Sequence, residues 1–218
     1  MMCWEGSCYG LRPTMILTFK FGTILSNQEE AIMRSKLVRA LLVAASSIPI
    51  VGCTCVDFDP PLQLGASYGG PPYGQVPGSV IFTKNGISVS VRKFFTPSTH
   101  FGVARIEKRP GLFGNSQVVR SNNIGLGFDF SGVGFTPSVV SYGFVDMGGI
   151  ENISVNSSAP FVGRLSSFPP SIGPANISVS KTQIPGGSRG SVTLYGQVKR
   201  LVVGGQELWI DRVCAQRG

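Results

Sequence analysis

The sequence contains a single histidine, His100, so it cannot supply a His-Glu-x-x-His metal motif. His100 lies in a Thr-Pro-Ser-Thr-His segment, where a loop residue is expected rather than a catalytic base. From Cys53 onward there are only eight carboxylate side chains, and neither Cys55 nor Cys214 belongs to a Cys–His signature. We therefore expect a protein that is not an enzyme. Catalysis by two carboxylates stays open, because such pairs are defined by their separation in space.

Charged residues are also scarce, at 14% of the chain, although the formal net charge is +8. From Cys53 onward, 14 basic residues stand against 8 acidic ones, which leaves +6. Only Arg92–Lys93, Lys108–Arg109 and Lys199–Arg200 are adjacent. Because no basic helix or zinc-finger spacing accompanies them, we interpret the charge as a solvated basic face and expect no nucleic-acid partner.

No segment after Cys53 has a sustained helical period, and no internal repeat is evident. Short alternating runs recur instead, as at Ile124–Phe130, where every second residue is apolar. Asn85-Gly86 stands between two such runs and predicts a tight hairpin. The predicted strands are 79–83, 86–95, 101–107, 117–120, 124–130, 138–147, 151–156, 175–182, 189–196, 198–203 and 207–214. About ten short strands predict an all-β antiparallel sandwich or jelly roll over residues 79–218.

The chain lacks an apolar run long enough to span a membrane, but it has a shorter one before Cys53. From Met33 a basic segment leads into an apolar stretch that ends at Gly52-Cys53, the order of a secretory signal. Residues 1–32 carry no fold signal, and translation starting at Met33 rather than Met1 gives the same mature protein. Residues 53–78 are rich in Pro and Gly and predict a flexible linker.

Ile50-Val51-Gly52-Cys53 resembles the lipobox of bacterial lipoproteins. The resemblance implies that residues 1–52 are removed and that Cys53 carries acyl chains that anchor the protein to a membrane. Thr54 follows, with no Asp at that position, which in the enteric sorting pattern implies the outer membrane. We therefore expect a lipid-anchored protein of the cell envelope.

Five cysteines are present, and two remain to be assigned after the signal segment and Cys53 are set aside. An even pair in an exported domain, Cys55 and Cys214, suggests a disulfide. Two free thiols are the alternative, because pairing depends on a Cα geometry that the sequence does not give.

Three stretches, Ser121–Phe130, Asp146–Asn156 and Val203–Val213, resemble secreted bacterial proteins with jelly-roll domains. The last also resembles the closing strand of carbohydrate-binding jelly rolls, in which an acidic residue helps to hold a structural calcium ion. The resemblance implies Asp211 as that ligand. Pairing of Asp211 with a nearby arginine is the other interpretation, and no further cofactor is expected.

We therefore expect a binding module for a carbohydrate or another surface ligand. Sugar rings stack on aromatic side chains, and Trp209, Tyr142 and Tyr195 are the aromatic residues on predicted strands that we select as ligand-binding candidates. The alternative is a structural or assembly protein of the envelope that acts through sheet edges and binds no small ligand. The sequence does not specify the oligomeric state.

Overall fold

The computed structural model describes residues 52–218, which form an all-β domain of two antiparallel sheets packed face to face. The predicted fold class is therefore confirmed. The signal segment of residues 1–51 and both candidate start codons lie outside the described residues. Among the residues described, no helix is long and apolar enough to cross a membrane.

The large sheet has nine strands in the order β13-β14-β15-β10-β17-β8-β7-β2, and β1 pairs with the second half of β17. Its strands are β1 (Cys53–Val56), β2 (Ser67–Gly69), β7 (Val103–Lys108), β8 (Gln117–Asn122), β10 (Val139–Asp146), β13 (Ser171–Ile172), β14 (Ala175–Ile184), β15 (Gly187–Tyr195) and β17 (Leu208–Gln216).

The small sheet has six strands in the order β12-β11-β16-β9-β4-β3. Its strands are β3 (Val80–Lys84), β4 (Ile87–Arg92), β9 (Ile124–Asp129), β11 (Glu151–Val155), β12 (Phe161–Gly163) and β16 (Arg200–Gly205). A separate two-stranded hairpin is formed by β5 (Phe94–Phe95) and β6 (Thr99–His100). One short helix, α1 (Pro110–Phe113), and two 3₁₀ turns, at Ser131–Val133 and Leu165–Ser167, complete the described elements.

The core lies between the inner faces of the two sheets, where alternate residues of each strand are apolar and buried. In β9, for example, Ile124, Leu126 and Phe128 point inward and are fully buried. The intervening outward positions are Gly125 and Gly127. Alternation with period two therefore places the core side chains as the sequence predicts, and it leaves two glycines on the outer face of the small sheet.

A β-bulge in β17 explains why its apolar pattern changes phase. Ile210 and Val213 are three residues apart, yet both are buried in the core. The register shifts opposite Tyr142/Gly143, and Arg212 has a positive φ of 37°. The extra residue returns Val213 and Ala215 to the inner face.

The Asn85-Gly86 hairpin is confirmed: both residues have positive φ, 53° and 79°, and they connect β3 to β4. Positive φ at both central positions is the geometry that favours Asn-Gly in two-residue hairpins.

The prediction of a flexible linker over residues 53–78 is wrong. The first four of these residues form β1 and pair with β17, and Phe58 is fully buried in the core. Tyr68, in β2, packs against the same core. The Pro and Gly residues indicated a flexible tether. The apolar residues between them, such as Phe58, instead stabilise the segment by being buried in the core. The domain therefore begins at about Cys53 rather than at residue 79.

Candidate functional site

Trp209 lies on the outer face of the large sheet and is only 3% exposed. The Arg109 guanidinium lies 4.2 Å from the ring centroid and that of Arg120 lies 5.1 Å away. The indole Nε1 donates a hydrogen bond to Glu107 Oε2 at 3.1 Å. Trp209 is therefore covered by the protein's own side chains and offers no ring face to a sugar.

Tyr142 is 1% exposed and belongs to the core. Burial, together with the neighbouring Glu151 carboxyl, raises the pKa of its phenol. Glu151 is itself fully buried, and its Oε2 accepts a hydrogen bond from the Leu165 N–H at 2.8 Å. Burial and the charge of Asp146 raise the pKa of Glu151 to about 7. These groups lie inside the sandwich, so Tyr142 does not contact a surface ligand.

Tyr195 is the exposed member of the three aromatic candidates, with 50% of its surface accessible. It ends β15, in a cross-strand row that runs through Val139 and Gln216 to Cys53. The three selected aromatic residues therefore do not converge on one site.

Asp211 precedes the β17 bulge, and its charged neighbours include Asp57 and Asp59. Burial, the main cause, and these two carboxylates raise the pKa of Asp211 to about 6. Asp57 is paired with Lys84, and Asp59 Oδ1 accepts the Gln117 N–H at 2.7 Å. Within residues 52–218 no group of three or more His, Cys, Asp or Glu side chains could hold a metal ion. The residues around Asp211 do not fit a calcium site, which needs six to eight oxygens.

Cys55 and Cys214 are joined by a disulfide that links β1 to β17 across a sequence separation of 159 residues. The two residues are direct cross-strand partners, with Cα atoms 4.0 Å apart. The bond fastens the start of the domain to its last strand.

The sequence also contains a Gly-x-Ser-x-Gly pattern at residues 186–190. A nucleophile of this kind needs a sharp turn between a strand and a helix. Ser188 lies instead within β15, an antiparallel strand that follows directly from β14, and it is buried. The pattern therefore belongs to a hairpin and not to a catalytic turn.

A cleft of about 280 Å³ opens on the outer face of the small sheet. It is lined by Pro77, Arg92, Lys93, Phe95, Asn152, Ile153, Ser154, Pro160 and Val202. Four elements form it: the end of β4, the hairpin strand β5, and the neighbouring sheet strands β11 and β16. We refer to it below as the small-sheet cleft.

The Arg92–Phe95 segment forms one wall of this cleft because it crosses the outer face of the sheet. A Cβ at Gly125 would lie 3.0 Å from the Lys93 carbonyl oxygen, so glycine permits the crossing. The segment is then fixed to β11 by Asn152, whose Nδ2 donates to the Phe95 carbonyl at 2.7 Å and whose Oδ1 accepts the Phe95 N–H. A side chain thus supplies hydrogen-bond partners on the side of β5 that faces away from β6.

Gly127 contributes to the same outer surface, beside Val202 and Ser90 on the neighbouring strands. Arg92 lies over it: a Cβ at this position would come within 2.8 Å of both Arg92 Nε and Ser90 Oγ. Arg92 Nε donates to Ser90 Oγ at 3.1 Å, which fixes the orientation of the guanidinium. Because Gly127 has no side chain, the Arg92 guanidinium can lie along the surface of the sheet.

The cleft combines apolar and polar surfaces. Phe95, Val202 and two prolines supply apolar contact, while Ser154, Arg92 and Lys93 supply polar groups. Its volume of about 280 Å³ is just below the roughly 300–1,000 Å³ typical of ligand pockets. The arrangement can accommodate one small ring against Phe95 with directed polar contacts around it.

The small-sheet cleft and the start of the domain lie at opposite ends of the sandwich. Asn85, at the hairpin before β4, donates through Nδ2 to the Cys55 carbonyl at 2.8 Å. β4 then runs from Ile87 to Arg92, so the cleft is about 20 Å farther along the sheet at roughly 3.3 Å per residue.

A second hollow, of about 390 Å³, lies at the other end of the molecule. It is lined by Phe130, Ser131, Gly134, Phe135, Thr136, Pro137 and Lys199. It adjoins the first described residue, because a Cβ on Gly52 would meet the Phe135 ring at 3.0 Å. Lys199 is the one charged side chain that lines it.

Sequence reasoning missed Arg92, Phe95 and Asn152 as site residues. The signal available was the alternation of Gly125 and Gly127 with core residues in a strand, since glycine inside a strand often marks the close approach of another group. That pattern indicates an approach but does not identify the group that approaches.

The chain matches no protein-family model, and searches of curated proteins and of solved structures found no match.

Proposed function

We propose that the protein is a lipid-anchored cell-envelope protein whose β-sandwich binds a carbohydrate in the small-sheet cleft. The observation that carries the proposal is the cleft itself, where an aromatic ring, a glycine on the sheet surface and two cationic residues meet. An aromatic ring beside directed polar groups is the usual device for holding a sugar ring.

The position of Cys53 in the domain supports this proposal. Cys53 begins β1 directly, so acyl chains on Cys53 would be attached to the end of the sandwich with no intervening tether. The small-sheet cleft, at the far end, would then face away from the membrane. A binding module on an envelope surface needs that orientation.

The exposed residues at the rim of the cleft favour a ligand larger than one sugar ring. Lys93, Pro77 and Pro160 are exposed at the rim, so a ring held against Phe95 could continue into a chain on either side. We therefore assign an oligosaccharide rather than an enclosed metabolite as the ligand class.

A glycan array tests the proposal with the full chain purified in detergent micelles. We expect retention of at least one oligosaccharide by the wild type and a loss of at least about tenfold in Gly127→Ala, since a Cβ there displaces Arg92. Gly111→Ala is the matched control, because a Cβ at that position meets nothing within 4 Å and Gly111 is in α1, outside the cleft. Absence of any bound glycan would contradict the proposal.

The rival function is assembly through a sheet edge, and one observation favours it. β13 pairs with only the first two residues of β14, so within the described chain residues 178–184 pair on one side, with β15. An open edge of this length is a template for another strand. Lys181 on that edge counteracts such pairing. Higher-order species in analytical ultracentrifugation that vanish when the exposed Gln183, whose N–H faces the open edge, is replaced by Pro would favour assembly over glycan binding.

A further inference from the structure

The charges in the small-sheet cleft are of one sign. Arg92 and Lys93 line it, and none of its lining residues is acidic. The ion pairs that the structure contains among residues 52–218 are Lys84–Asp57, Arg120–Glu207 and Arg200–Asp129. Neither cation of the cleft takes part in them.

Nearby carboxylates do not neutralise these cations. Asp129 lies on the same face of β9, two residues beyond Gly127, but its Oδ2 accepts a hydrogen bond from Arg200 at 2.9 Å. Glu151 is the residue before Asn152, but it points to the opposite face of β11 and is fully buried. Two cations on one side of a cleft attract an anion more strongly than either does alone.

Arg92 is oriented before any ligand arrives. Its Nε is held by Ser90 Oγ and its side chain packs over Gly127, which leaves the Nη groups to contact a ligand. A guanidinium with a fixed plane matches the two oxygens of a carboxylate, phosphate or sulfate. Lys93 adds a second positive charge from the adjacent position, with an exposed side chain.

From this geometry we infer that the bound oligosaccharide is acidic, with a carboxylate, phosphate or sulfate group held between Arg92 and Lys93. This inference rests on the proposed function and specifies its substrate class. The sugar ring contacts Phe95, and the acid group occupies the cationic side of the cleft.

The test uses full chain in detergent micelles and arrayed oligosaccharides in matched pairs. Each uronate is paired with the same oligosaccharide after reduction of its carboxyl to an alcohol, and each phosphorylated or sulfated glycan with its unmodified form. We expect the acidic member of a pair to bind at least about tenfold more tightly, as removal of a charged hydrogen-bond partner predicts. The bound acid type distinguishes carboxylate from phosphate and sulfate.

Three variants test whether Arg92 and Lys93 hold the acid group. Lys93→Gln removes an exposed charge that takes part in none of the ion pairs among residues 52–218, and we expect about threefold to tenfold weaker binding of the acidic member and a smaller loss for the neutral member. Arg92→Lys keeps the charge but loses the planar fork, and we expect a loss of about tenfold. Lys181→Gln, an exposed lysine on β14, is the matched control and should bind as the wild type does.

The outcomes separate the inference from the proposed function. Equal binding of both members of the pairs, or a preference for the neutral members, overturns the acidic ligand while leaving a glycan-binding protein. No binding to any member overturns both. If Lys181→Gln weakens the preference for acidic members as much as Lys93→Gln does, the preference is a general effect of surface charge. That result would also overturn the inference.

Discussion

The side-chain amide of Asn152 pairs with both backbone groups of Phe95, donating to its carbonyl and accepting from its N–H. Asn152 thereby takes the place of a neighbouring strand on the side of β5 that faces away from β6. The contact joins residues 57 positions apart in sequence and holds one wall of the small-sheet cleft.

Replacement of Asn152 by Ala should therefore destabilise the domain and loosen the cleft. Two backbone hydrogen bonds lose their partner, at about 1 kcal/mol each, so we expect the free energy of unfolding to fall by about 2 kcal/mol in urea titrations. Asn176→Ala, at an exposed position of β14, is the control and should change it by less than about 0.5 kcal/mol. Equal stabilities of the two variants would show that the Asn152 contacts contribute nothing.

The Cys55–Cys214 disulfide should stabilise the fold without affecting the cleft. It closes a loop of 159 residues, for which chain-entropy estimates give about 5 kcal/mol at most. The Cys55→Ser/Cys214→Ser double variant should unfold at lower urea concentration, while its ligand affinity stays unchanged, because the bond is at the far end from Arg92. Detection of both thiols free by mass spectrometry of protein from the envelope would contradict the bond.

Two buried carboxyls should make the domain more stable in mild acid. Burial raises the pKa of Glu151 to about 7 and that of Asp211 to about 6. The native state therefore holds protons that the unfolded chain releases near pH 4 to 4.5, and stability falls as pH rises from there through about 7. We expect a loss on the order of 2 kcal/mol between pH 5 and pH 8.

Glu151→Gln isolates this effect, since an amide still accepts from the Leu165 N–H but carries no charge. The variant should be more stable than the wild type at pH 8 and should show a flatter pH profile in urea titrations. Glu207→Gln, an exposed residue near Arg120, is the control and should keep the wild-type profile. A Glu151→Gln profile as steep as the wild type would rule out Glu151 as the source.

Lipidation is tested at Cys53. Cys53→Ser should abolish labelling by an alkynyl fatty acid and release the protein from membranes, whereas Cys55→Ser should retain both. The mass of the first peptide of the mature protein should include the acyl chains on Cys53. Continued membrane retention of Cys53→Ser would contradict the anchor.

Local sequence patterns predicted most of the fold. The eleven predicted strands correspond to observed ones within a few residues, because each has alternating burial that a single strand can display. β1 and β2 were missed because Pro and Gly surround them, and their strand state depends on distant partners, β17 and β7. The β17 bulge was missed for the same reason, since it becomes evident only against β10.

The site was much less predictable. Trp209 and Tyr142 could bind a ligand only if their rings faced solvent, and a period of two does not reveal which residues cover a face of the sheet. Trp209 is covered by Arg109 on a neighbouring loop, and Tyr142 falls on the core side of β10. The small-sheet cleft depends on contacts between residues far apart in sequence, such as Asn152 with Phe95, which no local pattern encodes.

Amide nuclear magnetic resonance of the full chain in detergent micelles, titrated with an oligosaccharide retained on the array, tests most directly whether the small-sheet cleft is the binding site. The account predicts that the largest chemical-shift changes occur at Gly125, Gly127 and Ser154, and that they disappear in Gly127→Ala. Unchanged signals at these residues, with shifts around Tyr195 on the large sheet instead, would contradict it.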